Sequence, residues 1–421
     1  MREDIKERIE LIRAGKVPKG YKKTKVGIVP KEWVEIEFSE LFEEKKTKIN
    51  KSFDFPLYSL TLEDGIVEKS KRYDREHLVK KEDSVYKVVQ PDEFVYNPMN
   101  IRFGAVARNK SGKKISVSGY YDVFKVRNSK DTGFMESFLI SAQMIKYYNI
   151  VCTGSLEEKK RVHFSNFLQF KLPMPNQEER TKISKILSIY DYKISLLQKQ
   201  FKLYEKEKIW LMRILLTGET RVLGVTSNWK KAKMEQLFDE RNETNLEGSE
   251  LLAITAKGIV PRSELQSKDN SSDNKSKYKR ICVGDIGYNT MRMWQGVSAL
   301  SEYDGIVSPA YTILIPHDDV DAKFFSYLFK LPSSIFKFYR YSQGLVDDTR
   351  NLKYENFKKI SFTYPSDVKE QKLIAEILGK ADKEIELLEK KLELLKQEKK
   401  AIMQLLLTGI VRVSGEKMEV D

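Results

Sequence analysis

Cysteine and histidine are nearly missing from this chain. Two cysteines, Cys152 and Cys282, and three histidines, His77, His163 and His317, are spread over 421 residues. Two thiols so far apart exclude a disulfide framework and read most simply as small buried hydrophobes. No His or Cys falls at ligand spacing from another, so no metal site is expected. Long apolar runs are also missing: none approaches the roughly 18 residues of a membrane span. The first ten residues alternate charges of both signs and lack a signal-peptide core. A cytoplasmic chain that does not engage a membrane is the expectation.

Catalytic signatures are absent too. There is no glycine-rich loop ending in Gly-Lys-Ser/Thr, no His-Glu-x-x-His and no Gly-x-Ser-x-Gly. Asn97-Pro98-Met99-Asn100 has an outward likeness to the Asn-Pro-Pro-Tyr motif that holds adenine in amino-methyltransferases. It lacks the second proline and the stacking aromatic. Glu157-Glu158-Lys159 could imitate a nuclease fragment, but such triplets are expected where 32% of residues are charged. Catalytic residues: none.

What is present is enough apolar and aromatic material for real cores, 41% and 11% of residues. The length suggests two or three domains. A formal net charge of +14 points to a polyanionic partner, with nucleic acid the first candidate.

The chain is also written twice. Leu215-Leu216-Thr217-Gly218 has its counterpart in Leu406-Leu407-Thr408-Gly409, and Arg221-Val222 in Arg412-Val413, at an offset of 191 residues. Asn97 to Gly104 matches Asn289 to Gly296, and Gly154, Asn166 and Phe167 fall on Gly344, Asn356 and Phe357. The shared element at the first of these is Asn-x-Met, which reads as a structural turn.

Each copy opens with strand-like punctuation. Tyr311, Ile313 and Ile315 alternate with Ala310, Thr312 and Leu314, as in a strand covered on both faces, and Val123–Val126 occupies the matching place. Short helical runs are expected at Phe134–Tyr148 and Phe324–Phe338, so each half is read as α+β.

Each copy closes with a long heptad-patterned helix. One seam runs Ile183, Leu187, Tyr190, Ile194, Leu197, Phe201, Tyr204, Lys208, Leu211, Leu215. The other runs Ile374, Leu378, Ala381, Ile385, Leu388, Leu392, Leu395, Lys399, Ile402, Leu406. Steps of four and three are the coiled-coil seam. Thr-Gly after each helix is a sensible stop, since glycine tolerates the left-handed conformation. Antiparallel pairing with full overlap sets Leu197 against Leu392 and Ile183 against Leu406. Lys208 and Lys399 then meet Ala381 and Tyr190, where they either fix register or extend out of the seam.

The loops hold the side chains that base reading needs: Asn100, Arg102, Lys160 and Arg161 in the first copy, and Arg292, Trp294, Gln295, Gln343, Arg350 and Asn351 in the second. Arginine bonds guanine twice, and Asn or Gln bonds adenine twice. Lys110, Lys113, Lys114, Lys277 and Lys279 suit phosphates. The bland reading of each is a solvated surface charge.

These features together resemble the DNA-specificity subunits of Type I restriction-modification systems. Gly20-Tyr21-Lys22-Lys23-Thr24 with Gly27, Pro30 and Trp33 is similar to that family's start. Tyr288-Asn289-Thr290-Met291-Arg292, Gly296 and Ser308-Pro309-Ala310-Tyr311 are similar to the core of its target-recognition domains. Asn351-Leu352, Phe357, Pro365 and Glu370-Gln371 resemble its junction into the helical region; Pro173 to Arg180 matches less closely.

The resemblance implies an N-terminal helical segment (1–20), a first target-recognition domain (21–175), a helical spacer (176–217), a second domain (218–366), a second spacer (367–409) and a tail (410–421). The fold expected is two mixed α/β domains joined by two antiparallel coiled-coil helices. Each domain would read one half of a bipartite double-stranded DNA target. The helices would set the gap and dock two modification subunits. S-adenosylmethionine, and ATP with Mg on restriction subunits, would belong to those partners, leaving this chain without cofactor. The competing readings are a coiled-coil scaffold that never reads DNA sequence, and a self-sufficient methyltransferase or nuclease.

Overall fold

The computed structural model describes residues 3–49, 55–69, 85–222, 224, 228–244, 248–255, 258–265 and 271–413. His77 lies outside the described residues. Two compact units divide the chain: Met1–Leu197 with Lys391–Asp421, and Gln198–Lys390. The division runs through both long helices, so each unit owns part of each helix.

The first unit is built on an antiparallel sheet in which strand Asp122–Val126 lies between Phe42–Lys45 and Phe94–Tyr96, with Val106–Arg108 at the edge. Successive side chains of a strand point to opposite faces. Phe94, Tyr96 and Phe124 accordingly enter one core with the helices, while Val95 and Val123 enter a second with Tyr58, Val89, Ile115 and Val117.

The second unit repeats this order: Tyr311–Pro316 lies between Phe238–Glu240 and Ile286–Asn289, with Ser298–Leu300 at the edge. Ile286, Tyr288 and Leu314 face one core; Ile313 and Ala299 face the other. At Gly287 a Cβ would lie 2.3 Å from Ile254, so glycine lets the second core close on that face. The strand expected to be covered on both sides is so covered in each copy.

Three expectations need correction. Phe134–Tyr148 is two helices, Thr132–Leu139 and Ala142–Val151, because the Ser141 hydroxyl accepts from the Met144 N–H and starts a new helix. Phe324–Phe338 likewise divides into Ala322–Leu328 and Pro332–Tyr341, since Pro332 suits a first turn and not a helix interior. The cysteines are free and only half-buried, not core residues.

The N-terminal helix, Glu3–Arg13, fills part of the segment expected to be helical. Gly15 follows it with φ +73°.

The long helices are Gln177–Leu216 and Val368–Leu407, 40 residues each. Both stop just before a Thr-Gly whose glycine is left-handed, Gly218 at +77° and Gly409 at +69°. Within the first unit, Ile183 and Leu187 share a core with Ile402 and Leu406, so the helices run antiparallel there in the expected register. Within the second unit, Leu211 and Leu215 share a core with Ile374 and Leu378. Ile194, Phe201, Ile385, Leu388, Leu392 and Leu395 are half-buried and Leu197 is buried.

The seam lysines cross to the facing helix. Lys399 Nζ lies 2.6 Å from Asp191 Oδ1 in the first unit, and Lys208 pairs with Asp382 in the second. Both bind a specific acid one residue from the position predicted, which is the register-fixing arrangement. Among the described residues no helix is long and apolar enough to cross a membrane.

Candidate nucleic-acid interface

In both units an inner strand of the main sheet, Phe94–Tyr96 or Ile286–Asn289, delivers the chain into the same turn before the edge strand. Asn97 Oδ1 accepts from the Met99 N–H at 3.0 Å, and Asn289 Oδ1 from the Met291 N–H at 2.9 Å. A short asparagine side chain bonding the backbone two residues on is how such a turn is held. This accounts for the repeated Asn-x-Met. One turn of 3-10 helix follows, Ile101–Phe103 or Met293–Gln295. It ends on a left-handed glycine, Gly104 at +95° or Gly296 at +80°.

A second element hangs from each turn. Thr153 pairs with Arg161, and Gln343 with Asn351, closing two loops of equal length around a 3-10 turn. The Val162 N–H then donates to Pro98 O at 3.0 Å, and the Leu352 N–H to Thr290 O at 2.8 Å. Turn and loop therefore form one continuous surface in each unit. Gly344 has φ +135°, and a Cβ there would lie 2.6 Å from Thr349 O.

The candidate side chains divide into those that present themselves and those that brace. Asn100, Arg292, Gln295 and Gln343 are exposed. Arg102 is a brace: Nη1 bonds Glu157 Oε2 at 2.9 Å, Nη2 bonds Glu157 O at 2.9 Å, and the guanidinium covers the Phe103 ring. Lys160 joins the same carboxylate. Bonds from Lys160 and Arg102 hold the Glu157 carboxyl below its ordinary range. Arg161 is half-buried and its Nε donates to Lys159 O.

Arg350 is the matching brace in the second unit. It pairs with Asp347 at 2.9 Å and lies 4.1 Å over the Tyr339 ring. The Trp294 ring meets Tyr339 edge-on at 6.3 Å, and its Nε1–H donates to Met291 O. Asn351 donates to Thr349 O, while its buried Oδ1 has no partner.

The lysines lie on other hairpins. Lys113, Lys114 and Lys277 are exposed. Lys110 pairs with Glu136, and Lys279 with Glu240 at 3.1 Å. Those two are matched by acids of this chain, Lys110 at the surface and Lys279 half-buried.

Sequence reading missed the apolar part of the surface: Phe336, Tyr339, Tyr341, Leu345 and Val346 in the second unit, and Phe103, Ile150 and Leu156 in the first, all exposed. It also missed Lys330, whose ammonium donates to Gly296 O at 2.8 Å and Ser298 O at 2.5 Å beneath the turn. Burial, with Lys208 nearby, pushes this lysine down to about 8. Ile140 occupies the corresponding place in the first copy. Among the described residues no group of three His, Cys, Asp or Glu is placed to hold a metal.

The family model for the Type I restriction modification DNA specificity domain matches residues 226–397. The chain is 22% identical to the putative type I restriction enzyme MjaX specificity subunit of Methanocaldococcus jannaschii, over 93% of this chain and 97% of that one. It is 26% identical to the type I restriction enzyme MjaVIII specificity subunit of the same organism over 59% of this chain, an alignment spanning 64% of that relative's length. A solved S subunit of a Type I restriction-modification system from M. genitalium shares the fold with a TM-score of 0.54 at 12% identity, covering 89% of this chain and 96% of that one. A chain from a structure concerned with complex assembly and conformational transition of the type I R-M system gives 0.52 at 12% identity, covering 91% and 99%. Residues 226–397 thus match the Type I restriction modification DNA specificity domain, and the first half repeats the same strand order, turn and loop.

Proposed function

We propose that each unit reads one half of a bipartite DNA site through its turn-and-loop surface, and that the chain contributes address and no chemistry. One observation carries this: two identical backbone frames present different side chains. Asn100 and Leu156 are exposed where the second frame exposes Arg292 and Val346, and Gln295 stands where the first has Phe103. A duplicated scaffold with diverged contact residues is what two different half-sites require. Lys113, Lys114 and Lys277 supply phosphate contacts that position without specifying.

The helix pair serves as spacer and dock. Leu196 and Leu394 in the first unit, and Leu203 and Leu387 in the second, are exposed outside the seam. The internal offset maps Leu196 on Leu387 and Leu203 on Leu394, so each unit offers one leucine from each helix to a partner helix. Two modification subunits fit this duplication. They carry S-adenosylmethionine and the adenine methylation; ATP and Mg act on restriction subunits; the assembly works in the cytoplasm.

Mapping methylated adenines in cells expressing this chain with its modification partner tests the reading. A bipartite motif is expected, and R292A with Q295A should relax one half only, by ten- to a hundredfold per lost bidentate contact, ~1–3 kcal/mol. A scaffold that never reads sequence gives no motif at all.

A further inference from the structure

We propose that Leu345 is an apolar wedge that enters the DNA base stack at the half-site read by the second unit. The inference rests on the turn-and-loop surface facing DNA, and adds a contact that hydrogen-bond matching of side chains to bases does not anticipate.

Leu345 is 99% exposed, and Val346 beside it 58%. The loop is held so that this leucine cannot fold back. Gln343 and Asn351 exchange backbone bonds of 2.8 Å at its base, and Val346 O accepts from both the N–H and the hydroxyl of Thr349 at 3.0 Å. Arg350 ties Asp347 to the Tyr339 ring. Gly344, at φ +135° and without room for a Cβ, sets the direction in which the next residue leaves. A braced loop that keeps a leucine wholly in water presents it to something else.

Charge decides what. Leu345 and Val346 are uncharged and the nearby Asp347 is matched by Arg350, so the tip offers phosphate no free cation and is unsuited to the DNA backbone. The cations stand at the base of the loop, where Arg340 and Lys353 are exposed. The loop is bonded to the turn that carries Arg292 and Gln295. An uncharged tip beyond a cationic base, next to base-reading side chains, fits a groove floor. Leucine inserted between base steps parts the stack and kinks the duplex. The first unit has the same frame with Ser155 at this position, so the wedge belongs to the second unit alone.

The test uses the complex of this chain with its modification subunits on its mapped target, with 2-aminopurine placed singly at positions other than the methylated adenines. Wild type should raise fluorescence several-fold at one step in or beside the second half-site. L345A should abolish that rise and weaken binding about tenfold, leaving selectivity at the first half-site unchanged. S155L should create a new rise at the first half-site. An L345A complex with unaltered fluorescence and affinity overturns the wedge. So does one that fails to assemble with modification subunits yet keeps DNA affinity, which makes Leu345 a protein contact. A wild-type complex that binds target and scrambled duplexes alike overturns the DNA-reading surface, and the wedge with it.

Discussion

Arg412 closes on Glu179 through two bonds, Nε to Oε1 at 2.7 Å and Nη2 to Oε2 at 3.1 Å, across 233 residues of sequence. Glu179, at the start of the first long helix, is buried, while Arg412 follows the end of the second. The same bidentate pair recurs in the other unit, where Arg221 meets buried Glu370 at 2.8 and 2.8 Å. Each pair joins the exit of one helix to the beginning of the other.

R412A strands a buried carboxylate. Because Arg412 is partly exposed, a loss of about 2–3 kcal/mol is expected, somewhat less than for a fully buried pair. Hydrogen exchange locates it: strands Phe42–Lys45 and Asp122–Val126 should lose protection, while Phe238–Glu240 should not. Equal loss in both units contradicts the pair's local role.

Arg180 shows how one copy departed from the other. Gln371 occupies its place in the second unit and bonds the Pro365 and Asp319 carbonyls and the Asp321 N–H. Arg180 keeps the equivalent carbonyl bond, to Pro175, and adds a buried bidentate pair with Asp131 at 2.8 and 2.9 Å. D131A should cost ~3–5 kcal/mol in urea unfolding, and R180M with D131L should recover most of it. Little difference between the single and double variants would sink this account.

The helix register is open to direct trapping. With Cys152 and Cys282 replaced, cysteines at Leu197 and Leu392 should oxidise to an intramolecular disulfide, since seam partners approach within bridging distance. Cysteines at exposed Leu196 and Gln397 should not.

Lys330 predicts a pH signature. Its folded value near 8 lies below the ordinary lysine value of 10.5. Between the two the unfolded chain binds more protons, so the group's contribution to stability rises with pH across that window. Wild type should gain about 2–3 kcal/mol from pH 8 to 10.5 relative to K330M, measured by denaturant unfolding at each pH. Parallel curves would contradict the placement of this ammonium.

Heptad spacing carries both long helices and their register, because a seam has to repeat over many turns, and Thr-Gly marks where each one stops. The duplication made the strand pattern of one half a check on the other. Breaks at Ser141 and Pro332 were missed because apolar residues continue through them while the backbone turns on single polar or cyclic residues. The candidate side chains Asn100, Arg102, Arg292, Gln295, Gln343 and Arg350 lie on the two turn-and-loop surfaces, where two of the arginines brace the loops. Arg102 and Arg350 have the chemistry of base readers, but Glu157, Asp347 and Tyr339 engage them, and Glu157 is too distant in sequence from Arg102 for any local spacing to announce it. The exposed Leu345 was invisible because a leucine in sequence reads as core.

The first unit is stitched from both sides of the second. Tyr21 donates to Gly409 O at 2.7 Å, and Leu406 and Leu407 lie in the same core as Phe38 and Phe42. On the ribosome, the second unit's residues emerge as one uninterrupted stretch, while the first unit waits for residues beyond Lys391. Synthesis therefore imposes an order that the duplication hides: the domain translated first is finished last. Until then its aromatic core lacks two of its leucines, and nascent chains that have emerged as far as Lys390 but no further should be protease-sensitive in the first unit and resistant in the second.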